Sequence, residues 1–301
     1  MRKQMKMYMR KHMAMAAAAA VVIAGSTLAS TGTAQAATGW QQSNGSWYYT
    51  QVNGQRATGW IQDCGKYYYL NNDGSMVTGW LRLGNDYYFM RGDGSMGTGW
   101  RQMDGAWYYF DTNSGKCAVN VSMEIDGSWY LFGADGRMVT GWQQVNGNYY
   151  YFHTDGRMLT GWLSDGANKY YMDPSNGVLS MGAREIDGYY YYFNNSGHMV
   201  TGWIQVNGSY YYMEPASGRM VAGTTRVIDG TTYQFAANGV CTTSVSAGTV
   251  YQGGSQAGGT TPAPNSGNTG SSSSGGSTGS PVVEAGGKSY SSGGPGVVGV
   301  R

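Results

Sequence analysis

The chain has 301 residues, enough for two ordinary domains, yet it carries 50 Gly, 26 Tyr and 10 Trp against only 6 Phe, 3 His and 3 Cys. Average usage would give about 21 glycines and about a quarter charged residues, whereas here charged residues make up 12% and the net charge is +2. Scarce His and acidic side chains argue against an ordinary two-domain enzyme, the aromatic content argues against a wholly disordered chain, and a turn-rich, repetitive all-β protein is left.

At the N-terminus Arg2, Lys3, Lys6, Arg10 and Lys11 precede an apolar run over 14–24, and small residues follow up to Ala34-Gln35-Ala36. A basic region, a short apolar stretch and an A-x-A site make a secretory signal peptide over residues 1–36. The run is too short and alanine-rich for a membrane anchor, so no transmembrane segment is expected after cleavage. Cleavage removes five of the 19 basic residues and none of the 17 acidic ones, leaving a net charge of −3. No basic patch remains to hold a nucleic acid.

From Thr38 a ruler runs through the chain. Gly-Trp recurs at Trp40, Trp60, Trp80, Trp100, Trp142, Trp162 and Trp203, mostly twenty residues apart. Seven residues after each Trp stands an aromatic triplet, such as Trp47-Tyr48-Tyr49, Tyr67-Tyr68-Tyr69 or Trp107-Tyr108-Tyr109. Counting back from later triplets places Ser122, Ala183 and Thr225 where three indoles are lost. About ten units of 20–22 residues thus fill 37–241, and such a period signals a solenoid or array.

Within a unit, Thr-Gly-Trp leads a short strand, and Asn-Gly or Asp-Gly turns the chain at Asn44-Gly45, Asp104-Gly105, Asp126-Gly127, Asn146-Gly147 and Asn207-Gly208. Such pairs between aromatic runs are hairpin signals, because a type I′ turn needs positive φ. A second turn, at Asp73-Gly74 or Asp93-Gly94, opens a Gly-x-Met-x-Thr-Gly connection to the next unit. One hairpin is marginal alone; stacked hairpins bury their aromatic faces in a continuous core. The spacing predicts an all-β protein, a β-solenoid of stacked hairpins.

After about Ser244 the chain is Gly, Ser, Thr and Pro with scattered valines, a composition unable to offset chain entropy. Residues 242–301 are read as a disordered linker or tail, with Val282-Val283 too isolated to nucleate a core. Cys117 and Cys241 stand at the Met position of the unit and Cys64 at a turn position, so the cysteines are isolated substitutions, not a disulfide framework. No nucleophile–base pair, metal motif or phosphate loop is visible; neither catalysis nor a cofactor is expected.

The unit, best kept in Thr78-Gly79-Trp80, Tyr87-Tyr88-Phe89 and Gly94-Ser95-Met96, resembles the choline-binding, or cell-wall-binding, repeat of Gram-positive surface proteins, over roughly Thr38–Cys241. Related repeats occur in glucan-binding domains. The resemblance implies aromatic ligand sites between consecutive hairpins, each taking the Gly-Trp indole, the first aromatic of that unit's triplet and the equivalent ring of the next unit, with a Met nearby. The matching positions are Trp60, Tyr67 and Tyr87 with Met76, and Trp80, Tyr87 and Trp107 with Met96. Trp100, Trp107 and Trp129 follow with Cys117 in place of Met, and Trp40, Trp47 and Tyr67 with Arg56, whose charge would repel a cation. In the second half Ser122, Ala183, Lys169 and Thr232 interrupt the pattern, so binding is expected over roughly 40–130.

A quaternary ammonium offers no hydrogen-bond donor and is held by ring faces, each contributing about 0.5–2 kcal/mol. A few rings give roughly millimolar affinity, and a polymer with many cholines adds avidity. The same rings are also the material of a core, and the two roles are compatible. The expected partner is choline-decorated teichoic acid or another cell-wall polymer, bound by a secreted, multivalent or self-associating surface protein. Two alternatives stand beside it: the targeting part of a wall hydrolase or surface enzyme, and an α-glucan or oligosaccharide lectin on the same fold.

Overall fold

The computed structural model describes residues 38–245, 250–253, 282–284 and 289–290. Residues 1–36, expected as a signal peptide, and most of the expected tail lie outside the described residues. Among the described residues every regular element is a β-strand. The described residues fall into two bodies, one within Arg2–Val139 and Ser272–Arg301, the other within Thr140–Ser271. No described helix is long and apolar enough to cross a membrane.

The first body holds five antiparallel hairpins: β1 (Gly39–Ser43) with β2 (Ser46–Thr50), β3 (Gly59–Asp63) with β4 (Lys66–Leu70), β5 (Gly79–Leu83) with β6 (Asp86–Met90), β7 (Gly99–Met103) with β8 (Ala106–Phe110), and β9 (Val121–Ile125) with β10 (Ser128–Phe132). The second holds five more: β11 (Gly141–Val145) with β12 (Asn148–Phe152), β13 (Gly161–Ser164) with β14 (Lys169–Met172), β15 (Gly182–Ile186) with β16 (Tyr189–Phe193), β17 (Gly202–Val206) with β18 (Ser209–Met213), and β19 (Thr224–Ile228) with β20 (Thr231–Phe235). Each body is a β-solenoid of stacked hairpins, as the spacing predicts.

The turns carry the chemistry their sequence announces. Asn44 and Gly45 have φ of 48° and 79°, Asp104 and Gly105 49° and 76°, the two positive values of a type I′ turn. Between β5 and β6 the first turn residue is Gly84, at φ 62°.

Consecutive hairpins are joined by backbone as well as by rings. The Met position forms a bridge to the end of its own second strand, as in Leu70↔Met76 and Met90↔Met96. The same N–H donates to the preceding hairpin: Met76 to the Trp47 carbonyl and Met96 to the Tyr67 carbonyl, both at 2.8 Å. Cys117 donates to Tyr87 and Met138 to Trp107 likewise. The second body repeats this with Leu179 to Tyr149, Met199 to Lys169, Met220 to Tyr190 and Cys241 to Tyr210. Each bond is worth about 1 kcal/mol net, and the series fixes the stacking register.

The deepest core is mainly the residue following each triplet: Leu70, Met90, Phe110, Phe132, Met172, Phe193 and Met213 are all essentially buried, joined by the triplet ring Tyr170 and by Leu81. The Met side chain then runs onward to the next connection, where a Cβ built on Gly94 would collide with Met76 and one on Gly115 with Met96.

Three short strands come from the C-terminal segment. β21 (Tyr251–Gly253) adds in parallel to β17, and β22 (Val282–Glu284) adds in parallel to β5 while pairing with β23 (Ser289–Tyr290). Val282-Val283 thus joins an existing edge instead of nucleating a core of its own. Edge strands offer unpaired N–H and C=O groups to any extended segment, and composition does not forbid such pairing.

Candidate functional site

Strand alternation decides what each ring can reach. Trp40 pairs with Tyr49 and Gln42 with Trp47, whereas Tyr48 pairs with Gln41. The indole and the first and third triplet rings therefore share one face of a hairpin, and the middle ring points to the other. The ring geometry agrees: each Gly-Trp indole meets its own third ring and the middle ring of the next hairpin. Trp40 lies 5.3 Å from Tyr49 and 4.8 Å from Tyr68. Trp60 lies 5.2 Å from Tyr69 and 5.1 Å from Tyr88. Trp80 contacts Phe89 and Tyr108 at 5.9 and 5.2 Å, and Trp142, Trp162 and Trp203 follow the same rule with Tyr170, Tyr191 and Tyr233. These edge-to-face pairs, each worth about 0.5–1.5 kcal/mol beyond area burial, weld hairpin to hairpin. Burial raises the Tyr88 phenol to about 12, with the Asp86 carboxylate adding to the effect. Tyr170 is raised to about 12 by burial first and then by its bond to Asp165. Neither phenol is available as an acid or base near neutral pH.

The first triplet rings are left at the rim. Trp47 is 43% and Trp107 41% exposed; Tyr67, Tyr87 and Trp129 are half-buried. Among the described residues, an indole and the first ring of its own triplet form a recorded ring pair only at Trp100 and Trp107, with centroids 6.3 Å apart and planes 84° to one another. Trp100 also rests on Tyr109 and Tyr130, which holds it in place. Trp60 and Tyr67, Trp80 and Tyr87, and Trp40 and Trp47 share faces without such a ring pair. The next unit's first ring, Tyr67 beside Trp40 or Tyr87 beside Trp60, belongs to the opposite face of its hairpin from the middle ring that touches the indole.

The Met backbones are bonded one hairpin before the one with which the family resemblance pairs them, while their side chains reach forward to the next connection. Met76 bonds at Trp47, Met96 at Tyr67, Cys117 at Tyr87 and Met138 at Trp107. Met138, absent from the expected set, is thus held by its backbone at Trp107, and its side chain packs on the same Tyr130–Phe132 cluster as Trp100. Only the non-local backbone bond reveals it. Trp80 and Trp203 are the buried indoles, at 6% and 8% exposure, and each lies on a strand that carries a parallel addition.

Three charges matter here. The Trp40 indole N–H donates to Asp63 Oδ2 at 3.1 Å, fixing that ring. The Arg82 guanidinium lies 5.6 Å from the Tyr87 centroid, on the face a cation would use. The Arg56 guanidinium stacks 3.7 Å over Tyr48; Tyr48 belongs to the face opposite Trp40 and Trp47, so the charge expected to repel a ligand there is engaged elsewhere. Burial, ahead of the Asp135 charge, raises the Cys117 thiol to about 12. All three cysteines are free, with Cys64 exposed.

The fold and this rim of aromatic corners define a repeat-built binding module. The chain belongs to the choline-binding repeat family: the model of that repeat matches residues 37–79, 77–121, 139–182 and 180–225, more than half of the chain. A second model, for a cell wall binding repeat, matches 124–138. No curated protein sequence matches the chain. Among solved structures, CbpJ from Streptococcus pneumoniae is 26% identical with a TM-score of 0.50, over 69% of this chain and 96% of that one. The modular autolysin LytC from Streptococcus pneumoniae is also 26% identical, with a TM-score of 0.52, over 69% of this chain and 47% of LytC. LytC in complex with a synthetic peptidoglycan ligand matches to the same extent. The chain spans less than half of LytC.

Proposed function

We propose that this chain is a secreted, non-catalytic attachment module that binds choline groups on (lipo)teichoic acid through aromatic cages between hairpins. The observation that carries the reading is the Trp100–Trp107 corner: two indoles at 84° with centroids 6.3 Å apart, one of them at the solvent rim. Two perpendicular ring faces form half a cage for a trimethylammonium group, which is attracted to ring faces and has no N–H to donate. Trp129, and Met138 with its backbone bonded at Trp107, are the further members this reading assigns to the site. Trp60, Tyr67 and Tyr87, Trp80 and Tyr87 with Trp107, and Trp40 with Trp47 and Tyr67 supply weaker sites of the same kind, with Met76 and Met96 along their edges. Each site contributes a few kcal/mol, giving roughly millimolar affinity; several sites on one polymer multiply this by about 10²–10⁴.

The test is retention of the full chain on a quaternary-amine matrix and its release by free choline, with dextran as a parallel eluent. Release by choline alone supports this reading; release by dextran alone transfers the sites to an α-glucan; failure to be retained overturns the cation cage.

A second reading is favoured by the LytC match, which covers this chain's repeats and less than half of that autolysin. In that reading the repeats are the targeting part of a wall hydrolase. A catalytic segment contiguous with this chain in its full transcript would decide for it.

A further inference from the structure

The hairpin of β15 and β16 lacks an indole: Ala183 stands at the Trp register, opposite Tyr192. In complete hairpins an indole covers that cross-strand ring, as Trp162 covers Tyr171 at 5.0 Å and Trp203 covers Tyr212 at 5.1 Å. Tyr192 has lost this cover and ought to be the barest ring of its kind. It is instead 7% exposed.

Repeat residues such as Val200 and Tyr211 pack on its cluster, and the one further ring there, Tyr251, comes from beyond the repeats. β21 lies parallel to β17 with Ile204↔Tyr251, Gln205↔Gln252 and Val206↔Gly253 in register. That register puts Tyr251 on the face of Ile204, and its ring stands 6.0 Å from Tyr192. Alternation turns Val250 to the other face, where it packs with Val245 against the cluster around Trp203. The close approach has its own signature at Gly253, where a Cβ would lie 2.5 Å from Tyr192 Oη and 2.8 Å from Val206 Cγ2. The strand changes what it touches: Ile204 is 2% exposed, whereas the aliphatic residues at the same position of β3 and β13, Ile61 and Leu163, are only half-buried. Leu81, the other fully buried residue at this position, lies on the other strand that carries a parallel addition.

We propose that the groove between the β15–β16 and β17–β18 hairpins is a binding site for a tyrosine-bearing extended segment, and that its occupant is the chain's own Val250–Gly253, a strap that sets Tyr251 in place of the missing indole. Backbone pairing along β17 supplies affinity and the aromatic gap supplies selectivity, the division of labour in strand addition. The site is independent of the choline reading and stands or falls apart from it.

The test is amide hydrogen exchange on the full chain with Tyr251→Ala, Tyr251→Phe and Ala183→Trp. Amides of 251–253 are protected in the unmodified chain at all protein concentrations. Tyr251→Ala lowers that protection about tenfold or more, the loss of one packed ring, while Tyr251→Phe keeps it. Ala183→Trp supplies the indole and releases the strap, and Tyr251→Ala then adds no further change. Unprotected amides in the unmodified chain, or unchanged protection in Tyr251→Ala, overturn the proposal even should Ala183→Trp fail to fold. A folded Ala183→Trp chain that keeps the strap protected also overturns it. Protection that grows with concentration alongside a sedimenting dimer assigns the groove to a second copy and overturns the intramolecular strap.

Discussion

Replacing Gly94 by Ala probes the connection between hairpins at its tightest point. Gly94 has φ of 79°, where an L-residue costs about 1–2 kcal/mol; part of this is offset by about 0.4–1 kcal/mol from the stiffer unfolded chain. The new methyl would also fall against Met76 Sδ and 2.9 Å from its Cγ. The collision includes the stem of the side chain, so rotating the terminal methyl does not relieve it, and such overpacking costs about 1–3 kcal/mol. The two effects together predict a loss of about 2–4 kcal/mol, read from urea unfolding followed by tryptophan fluorescence. Gly105 provides the control: its φ is 76° but nothing lies within 4 Å of a Cβ there, so Gly105→Ala loses only the backbone part. Adding Met76→Ala to Gly94→Ala should recover part of the steric loss. Equal effects of Gly94→Ala and Gly105→Ala would refute the role of Met76 as the spacer between connections.

Native-state alkylation should modify the exposed Cys64 rapidly and spare Cys117, whose thiol is held protonated by burial at a value of about 12; rapid labelling of Cys117 in the folded chain contradicts its placement. Acid should weaken the fold through the turn aspartates. Asp93 is lowered to about 2, chiefly by the Ser95 hydroxyl, and Asp73 and Asp173 are lowered by the equivalent Ser75 and Ser175 bonds. A carboxylate lowered on folding stabilises fully above its unfolded value near ~4, and this is lost as the pH falls from there toward about 2. The chain uses Asn53 and Asn238 as acceptors at the same turn position, so Asp73→Asn with Asp93→Asn should keep the turn and flatten the acid limb of the denaturation midpoint; an unaltered limb refutes this source.

The period, the hairpins and the Met-position connection were legible in the sequence because each is local: Gly-Trp, an Asn-Gly turn and a triplet lie within one unit. The partners of each ring were not, because neighbouring triplet members point to opposite faces, and nothing in the unit says which face meets the next hairpin. Tyr68, not Tyr67, therefore meets Trp40. Met138 escaped notice for a related reason: its bond to Trp107 crosses from one unit to the preceding one, where the spacing had suggested Cys117. The tail strands pair through backbone, which leaves little trace in composition. Tyr251 and Tyr290, aromatic residues in Gly- and Ser-rich stretches, and the Val282-Val283 pair were the visible signals.

The most direct measurement for the binding account is a choline titration of intrinsic tryptophan fluorescence in the full chain and in Trp107→Ala. The account predicts a saturable change with a midpoint in roughly the millimolar range, sharply reduced when Trp107 is removed while unfolding by urea is nearly unchanged, since Trp107 lies at the rim. No change on titration in the unmodified chain, or an undiminished one in a folded Trp107→Ala chain, would contradict it.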